Sequence, residues 1–296
     1  MLNYDGHMKL RKKIARTLTH IVTKAVREMN LLSYKLHGRK PWTPGYFEYK
    51  WEHIARTLRD DGSMTSFREG RSLPEKFGTG IDERIVEYPW LLAAMPEGPA
   101  RVLDAGSALN FETILDQSRL ANKKVTIVNL NPEPNCFWRR GISYVFADMR
   151  ALPFLPNTFD VVSCISTLEH VGMDNTEIYT KDAKYKEHKK EDYLVAIAEL
   201  RRVLSPGGKL FLSIPFGTFG NFGFFQQFDR EMLRKLTSAL GSDKCAVTFY
   251  RYADGGWQIS TETACASAEY AVAAKAKRDA SLPAAAGAVA CLTFTK

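Results

Sequence analysis

The sequence of 296 residues predicts an α/β fold in which helices cover both faces of a mainly parallel β-sheet. From residue 100 onward, short segments rich in β-branched and aromatic residues alternate with segments of helical length. Strands separated in this way are joined by right-handed crossovers, which place them in parallel within one sheet. The composition, 45% hydrophobic and 25% charged, is that of a globular protein with a full core. The sequence therefore predicts one Rossmann-like domain.

Seven strands and four helices are predicted in this domain. The strands are expected at about Arg101–Asp104, Lys124–Asn129, Ser143–Phe146, Phe159–Ile165, Lys209–Ile214, Ala246–Tyr252 and Ala288–Thr295. The helices are expected at Ile81–Leu92, Glu112–Leu120, Lys190–Leu204 and Arg230–Leu240. The alanine-rich segment 263–290 predicts another helix followed by a turn, and the polar segment 60–80 predicts a loop that folds over a site.

A basic helical extension is expected before the domain. Apolar residues recur at helical spacing from Leu10 to Leu32 with basic residues between them, which predicts an amphipathic helix. Residues 1–40 hold ten Lys and Arg against two acids, and this excess equals the whole net charge of +8. Gly38–Tyr49, with its prolines and aromatic residues, predicts a linker. The expected division is therefore an extension with linker at 1–50 and the α/β domain at 51–296.

The basic extension leaves three interpretations open. Its helix packs on its own domain, it packs on a second subunit in a homodimer, or residues 8–37 contact an anionic membrane surface or another polyanion. Because the rest of the chain carries no net charge, the body of the protein is not expected to bind nucleic acid.

Cysteine spacing and hydropathy exclude other classes of protein. The five cysteines are odd in number and form no Cys-x-x-Cys pair, so neither a disulfide framework nor a zinc site is expected. No apolar run approaches the roughly 20 residues that cross a bilayer. We therefore expect a cytoplasmic protein, either free or held peripherally at the inner membrane surface.

The residues that close the strands are the candidates for a ligand site, because ligands bind beyond the carboxyl ends of the central strands of such a sheet. The first strand closes with Asp104-Ala-Gly106-Ser107, whose glycine lets the backbone approach a ligand. A dinucleotide-binding loop would have further glycines at Ala108 and Phe111. The turn alone is therefore a weak signal.

Further strand ends give this turn its context. In chain order they are Asn129-Leu130-Asn131-Pro132, Ala147-Asp148-Met149, Ser166-Thr167-Leu168-Glu169-His170 and, before the fifth strand, Pro206-Gly207-Gly208. Read in this order and with these gaps, the chain resembles the class I S-adenosylmethionine-dependent methyltransferases from about Ile81 to Ile214. The resemblance implies S-adenosylmethionine as cofactor and an antiparallel final strand at Ala288–Thr295.

The resemblance implies eight cofactor contacts, which are Asp104, Gly106, Ser107, Asn129, Leu130, Asp148, Met149 and Ser166. Asp104 matches the carboxylate that accepts from the ammonium group of the methionine part. Asp148 matches the acid that receives the adenine amino group, and Met149 covers the ring. Asn129 stands where the family usually has an acid for the ribose hydroxyls. A neutral acceptor holds a hydroxyl less strongly, by about 1 kcal/mol, so Asn129→Asp is expected to tighten cofactor binding.

Catalytic residues are expected just after the fourth strand, where the acceptor would lie. His170 has an ordinary pKa near 6.5 and suits the role of general base at neutral pH. The alternative is a histidine that only holds the loop. Glu169 or Asp174 would orient His170, act as the base, or join it around a divalent ion, although no metal site is expected.

The acceptor is expected to be a small or lipid-linked molecule. The segment after the fourth strand lacks the Asp/Asn-Pro-Pro-aromatic pattern of nucleic-acid amino methyltransferases. Together with Gly80–Trp90, it resembles bacterial methyltransferases associated with surface-polysaccharide biosynthesis, which implies a sugar hydroxyl as acceptor. The alternatives are a non-catalytic cofactor- or nucleotide-binding protein and a quinone or natural-product methyltransferase. The phenylalanine-rich segment Ile214–Phe228 would form an apolar lid or pack in the core.

Overall fold

The computed structural model describes residues 25–177, 181–277 and 282–296 of the chain. Its strands are β1 (Ala100–Ala105), β2 (Lys123–Asn129), β3 (Ser143–Phe146), β4 (Phe159–Ile165), β5 (Leu204–Pro215), β6 (Gly220–Asn221), β7 (Gln226–Gln227), β8 (Cys245–Ala253), β9 (Gly256–Ser260) and β10 (Ala288–Thr295). Its helices are α1 (25–36), α2 (Tyr46–Arg59), α3 (Asp61–Glu69), α4 (Arg84–Ala94), α5 (Glu112–Leu115), α6 (Tyr193–Val203), α7 (Arg230–Leu240), α8 (Glu262–Cys265) and α9 (Ala273–Ala276).

Eight of the strands form one sheet in the order β3-β2-β1-β4-β5-β10-β8-β9. The five strands from β3 to β5 pair in parallel, and β10 lies antiparallel between β5 and β8. The predicted Rossmann-like α/β fold with an antiparallel C-terminal strand is therefore confirmed. The predicted count of seven strands was wrong, because β9 folds back on β8 through the tight turn Asp254-Gly255, where both residues have positive φ.

Two hydrophobic cores lie on the two faces of the sheet. Along β1, Val102 faces the core with α2, α3 and α4, while Leu103 faces the core with α6 and α7. The same alternation holds at Phe211 and Leu212 of β5. Burial on both faces explains why these strands are almost continuously apolar.

The segment Gly38–Tyr49 is not the predicted linker. It turns at Gly45, whose φ is +89°, and its last four residues are the first turn of α2. Tyr34 and Tyr46 are 1% and 0% exposed and belong to the same core as α4. The predicted division between residues 50 and 51 therefore falls inside α2. Residues 1–24, most of the predicted basic helix, lie outside the described residues.

Two other expectations about local structure were wrong. The polar segment 60–80 contains α3. The Asp60 carboxylate caps its start by accepting from the Ser63 N–H, and Gly70, with φ +63°, caps its end. The alanine-rich segment is helical only over the four-residue α8 and α9 in its described part. Its small side chains instead let the backbone pack closely, as where the Trp42 indole N–H donates to the Ala284 carbonyl.

No helix in the described ranges is long and apolar enough to cross a membrane.

Candidate functional site

The carboxyl ends of β1, β2, β3 and β4 surround a narrow cleft of about 50 Å³. Its lining consists of Gly106, Val128, Asn129, Leu130, Ala147, Asp148, Met149, Arg150, Thr167, His170, Val171, Gly172, Asn175 and Glu187. The parallel order of the four strands places the cleft where such sheets bind ligands.

Gly106 lets the loop after β1 lie against the end of β4. Its φ is +105°, a conformation that side chains disfavour, and a Cβ at this position would collide with the side chain of Thr167. Both residues line the cleft. Glycine is therefore required here by packing, independently of any ligand.

Asp104 shapes this loop from beneath and does not line the cleft. It is 0% exposed, and its carboxylate accepts from the Leu109 N–H at 2.7 Å and from the Ser163 hydroxyl at 3.3 Å. Burial raises the pKa of Asp104 to about 7. This geometry does not place the Asp104 carboxylate in the cleft, where the predicted contact with the ammonium group of the cofactor would lie.

Asn129 lines the cleft, but its amide is held by Glu133. Asn129 Nδ2 donates to Glu133 Oε1 at 2.6 Å, and its Oδ1 accepts from the Leu130 N–H at 2.9 Å. Glu133 Oε2 also accepts from the Ser107 hydroxyl at 2.5 Å and from Asn110 Nδ2 at 3.0 Å. The Glu133 carboxylate, four residues beyond β2, thus lies beside Asn129, where the family usually has an acid.

Asp148 lines the cleft in an ion-pair network with Arg150. The guanidinium donates to both carboxylate oxygens of Asp148, with Nη2 to Oδ2 at 2.6 Å, and its Nη1 pairs with Asp192 at 2.5 Å and Glu187 at 2.7 Å. Burial alone would raise the pKa of Asp148, but the Arg150 hydrogen bonds hold it below its ordinary value. The carboxylate is therefore ionised and fixed in orientation.

His170 reaches the cleft from the turn after β4. Its Nδ1 lies 2.8 Å from the Phe224 carbonyl oxygen, which assigns the ring proton to Nδ1 and leaves the lone pair on Nε2. Nε2 has no hydrogen-bond partner among the described residues. Burial lowers the pKa of His170 to about 4, against the opposing effect of the Phe224 bond, so the ring is neutral at pH 7.

Glu169 and Ser166 point away from the cleft into the protein. Ser166 donates to Glu87 Oε1 at 2.5 Å, and Glu87 is paired with Arg84 at 2.6 Å. Glu169 is 4% exposed, and its Oε2 has no partner in the described part of the chain. Burial raises the pKa of Glu169 well above its ordinary value, which favours the neutral acid.

Asp174 does not meet His170 either. Its carboxylate accepts from the backbone N–H and the hydroxyl of Thr176, at 3.1 and 2.5 Å, which closes a local turn. Within the described ranges, no group of three or more His, Cys, Asp or Glu side chains could hold a metal ion.

An aromatic wall stands next to His170. Phe224 stacks on the His170 ring at 6.1 Å between centroids, and Phe225 lies at 5.9 Å. Phe225 also contacts Phe222 at 4.6 Å and Tyr270 at 4.7 Å. The short hairpin of β6 and β7 carries these phenylalanines, of which Phe225 is buried. The segment Ile214–Phe228 therefore lies partly beside His170 and partly in the core, so it has features of both structures that the sequence left open.

Six of the eleven predicted site residues line the cleft together: Gly106, Asn129, Leu130, Asp148, Met149 and His170. Asp104, Ser107, Ser166, Glu169 and Asp174 do not line it. The sequence analysis missed Glu133 and Arg150, which are bonded to the predicted residues. Both are charged residues that follow a strand end by four residues, and this position in the sequence could have predicted them.

Residues 103–212 match the model of a family described as a methyltransferase domain. The match begins inside β1 and ends inside β5, so it includes every strand end that borders the cleft. This part of the chain is thus similar to a methyltransferase domain. No curated protein matches the chain in sequence.

Several solved methyltransferase structures resemble the chain weakly. The 1,6-didemethyltoxoflavin-N1-methyltransferase of Burkholderia thailandensis, with bound 1,6-didemethyltoxoflavin and S-adenosylhomocysteine, is 18% identical over 83% of this chain and 89% of that chain, with a TM-score of 0.43. The N-methyltransferase NodS of Bradyrhizobium japonicum, in complex with S-adenosylhomocysteine, is 12% identical over 83% and 98%, with a TM-score of 0.39. A possible histamine N-methyltransferase of Thermotoga maritima is 15% identical over 83% and 99%, with a TM-score of 0.40. Likenesses at this level do not determine the acceptor of the present enzyme.

Proposed function

We propose that this protein is an S-adenosylmethionine-dependent methyltransferase that methylates a hydroxyl group of a small acceptor, and that the acceptor is a sugar or a similar hydroxylated molecule, free or lipid-linked. The observation that carries the proposal is the state of His170. The imidazole in the cleft is fixed through Nδ1 and has Nε2 free, so its lone pair is available for the proton that a hydroxyl must lose, although the lowered pKa makes it a weaker base than a free imidazole. The resemblance of the segments around Gly80–Trp90 and Ser166–Asn175 to polysaccharide-associated enzymes supports the choice of a sugar.

The residues of the cleft fit the cofactor. Asp148, ionised and oriented by Arg150, would accept from the adenine amino group, and Met149 would cover the ring. Asn129 and Glu133 would face the ribose hydroxyls, with Glu133 as the charged acceptor. Gly106 and Thr167, which both line the cleft, would lie beside the bound cofactor. S-adenosylmethionine supplies an electrophilic methyl group when it is bound.

The chemistry that remains for the protein is alignment and proton removal. His170 Nε2 would take the proton that the acceptor hydroxyl must lose. The Nδ1 hydrogen bond to the Phe224 carbonyl keeps the ring in the tautomer that this step needs.

A phenolic ring is a second candidate acceptor, since the aromatic wall beside His170 favours it. Phe224 and Phe225 offer flat apolar surfaces next to the proposed base. A quinone-like or other aromatic natural product would stack there, whereas a sugar would use the same surface through its C–H faces. The chemical identity of the methylated product separates the two.

The proposed contact of residues 8–37 with a membrane and the proposed homodimer rest on the sequence, because residues 1–24 lie outside the described ranges. The cytoplasmic location stays a prediction in the same way.

His170→Ala tests the proposed base. We expect turnover to fall at least ~100-fold, as for the loss of a general base, while S-adenosylhomocysteine affinity stays within about threefold. The assay is methyl transfer from labelled S-adenosylmethionine to fractionated cell extract, followed by identification of the product as an O-methyl ether. The matched control is His188→Ala, an exposed histidine outside the cleft.

The pH profile gives a second readout of the same role. Because the pKa of His170 is lowered to about 4, the base form prevails at every pH above that value. Protonation of His170 should therefore reduce kcat/KM only as the pH falls toward 4, with no loss between pH 8 and 6. A few-fold effect of His170→Ala, or a product methylated on nitrogen, would move the proposal to another residue or another acceptor.

A further inference from the structure

A second cavity, of about 610 Å³, lies between α2, α3 and the segment 74–79. We call it the basic cavity, because Arg39, Arg56 and Lys76 line it. It shares no lining residue with the cofactor cleft. The methyltransferase mechanism described above uses none of its side chains.

The three cations of the basic cavity have no carboxylate partner among the described residues. Arg56 Nη2 donates to His53 Nδ1 at 2.7 Å, and the Arg39 guanidinium lies 5.7 Å from the centre of the Tyr49 ring. Lys76 makes no ion pair within the described ranges. Unpaired guanidinium groups at the edge of a cavity are free to bind an anion through their forked donors.

Two buried hydroxyl residues extend this donor set. Tyr49 and Thr57 line the cavity and are only 4% and 6% exposed. Neither hydroxyl makes a hydrogen bond with a described residue, and neither oxygen is among the fully buried polar atoms that lack a partner, so both oxygens are accessible to a ligand. Polar ends of buried side chains that open into a cavity are suited to hold a polar ligand.

Two carboxylates also line the cavity, and they weaken its positive charge only in part. Asp60 is used by α3, since it accepts from the Ser63 N–H at 2.7 Å, and Glu75 makes no ion pair with a described residue. His53 contributes no charge at neutral pH, because burial and the nearby Arg56 lower its pKa to about 4. The other charges that act on its ring are those of Glu52, Lys35 and Arg39. A bound anion beside Arg56 would raise the pKa of His53.

We propose that the basic cavity is a second ligand site, which binds a phosphoryl group between Arg39, Arg56 and Lys76, with the hydroxyls of Tyr49 and Thr57 as further donors. The planar forks of two arginines match the tetrahedral oxygens of a phosphoryl group. The group belongs either to a soluble phosphate or diphosphate or to a phospholipid headgroup, since both present the same chemistry.

Inorganic pyrophosphate is the probe of the soluble form, measured by calorimetry and by the NMR titration of His53. We expect saturable binding to the full-length protein and a rise in the pKa of His53 with ligand. Arg56→Gln should weaken binding at least ~10-fold. Arg59→Gln, an exposed arginine on the same helix that does not line the cavity, should leave it within about twofold.

Vesicles of phosphatidic acid in phosphatidylcholine test the lipid source by co-sedimentation. Vesicle binding that falls in Arg56→Gln but not in Arg59→Gln would assign the site to a headgroup. The absence of pyrophosphate binding, together with equal vesicle binding of the two variants, would overturn the proposal. Pyrophosphate binding that is reduced equally by both substitutions would overturn it as well, because the effect would then follow net charge and not the cavity.

Discussion

Asn129 and Glu133 form one acceptor unit, and the structure reverses what the sequence predicts for a substitution at residue 129. The sequence alone predicts tighter cofactor binding in Asn129→Asp. In the structure, Asn129 Nδ2 donates to Glu133 Oε1 at 2.6 Å, so an aspartate would place two carboxylates against each other. Like charges at this distance repel and raise the pKa of one of the pair.

We therefore expect Asn129→Asp to weaken S-adenosylhomocysteine binding, by roughly 5- to 10-fold, as measured by isothermal titration calorimetry. The double variant Asn129→Asp/Glu133→Gln should recover most of the affinity. In it the glutamine amide donates to the new carboxylate, while its carbonyl accepts from Ser107 and Asn110 in place of Glu133. Tighter binding by the single variant would show that Glu133 is not part of the unit.

Asp104 gives a prediction about stability and pH. The pKa of Asp104 is about 7 in the folded protein and 3.8 in the unfolded chain. Between pH 3.8 and pH 7, the folded protein therefore keeps a proton on Asp104 that the unfolded chain has released. The contribution of Asp104 to stability is thus present below pH 4 and is lost as the pH rises through 7. Asp104→Asn removes this dependence while keeping an acceptor for the Leu109 N–H.

The melting temperature of Asp104→Asn, relative to the wild type, should therefore increase between pH 5 and pH 8. A gain of about 1 kcal/mol corresponds to roughly 2–4 °C for a protein of this size. Differential scanning calorimetry at several pH values measures it. A difference between the two proteins that does not change with pH would mean that Asp104 is ionised throughout.

At the scale of single residues, the sequence predicts which side chains stand at strand ends but not which way they point. Asp148 and His170 were identified and do line the cleft, whereas Ser166 and Glu169 occupy neighbouring positions and face the interior. The difference arises from packing against Glu87 and Arg84, which are about 80 residues away in the chain. Contacts between residues so far apart in the chain leave no pattern in the local sequence from which they could be predicted.

The loop between β1 and α5 is the element on which the cleft depends most directly. A Cβ at Gly106 would meet Thr167, and the φ of +105° adds backbone strain. We expect Gly106→Ala to lower S-adenosylhomocysteine affinity at least ~10-fold and to reduce the melting temperature, because the loop must move away from β4. Calorimetry and thermal unfolding measure the two effects.

Gly98→Ala is the matched control for this substitution. Gly98 also has a positive φ, +76°, but an added Cβ would meet nothing within 4 Å. It should cost about 1 kcal/mol of backbone strain and leave binding unchanged. Equal losses of affinity in the two variants would mean that strain, and not the approach to Thr167, explains the effect.

Elements with a strong periodic or apolar pattern were predictable, and those that depend on caps or turns were missed. The bounds of β3, β4, β10 and α7 agree with the sequence prediction residue for residue. α3 was missed because its sequence is polar, although Asp60 and Gly70 are favoured residues at its two ends. β9 was missed although Asp254-Gly255 before it is a common hairpin turn.

At the scale of the whole molecule, the boundary of the folded body lies earlier in the chain than the sequence predicts. Tyr34 is 1% exposed, and its hydroxyl donates to the Arg39 carbonyl at 2.8 Å. Tyr46 donates to the buried Asp82, which is also paired with Lys50 at 2.6 Å. The core on the α4 side therefore includes side chains from before residue 50.

Two truncations test where the body begins. Removal of residues 1–24 should leave the melting temperature within about 3 °C and cofactor affinity unchanged, because no described core residue is lost. Removal of residues 1–40 deletes Tyr34 and should destabilise the protein by about 3–5 kcal/mol, as for the loss of a buried aromatic side chain. Thermal unfolding of both truncations, with S-adenosylhomocysteine titration as the second readout, makes the comparison. Equal stability of the two would restore the boundary near residue 50.

The shorter truncation also tests the prediction that the body does not bind nucleic acid. Residues 1–24 hold six of the basic residues of the chain, so retention on RNA should disappear with them. Retention that survives the deletion would assign RNA binding to the α/β body.

The central claim is that the ends of β1, β2, β3 and β4 bind the cofactor with His170 facing its reactive end. A crystal structure of the full-length protein with S-adenosylhomocysteine tests it most directly. The adenine is expected between Asp148 and Met149, the ribose beside Asn129 and Glu133, and the sulfur on the side of His170. Density for the ligand elsewhere, or a cleft that stays closed at saturating ligand, would contradict the account.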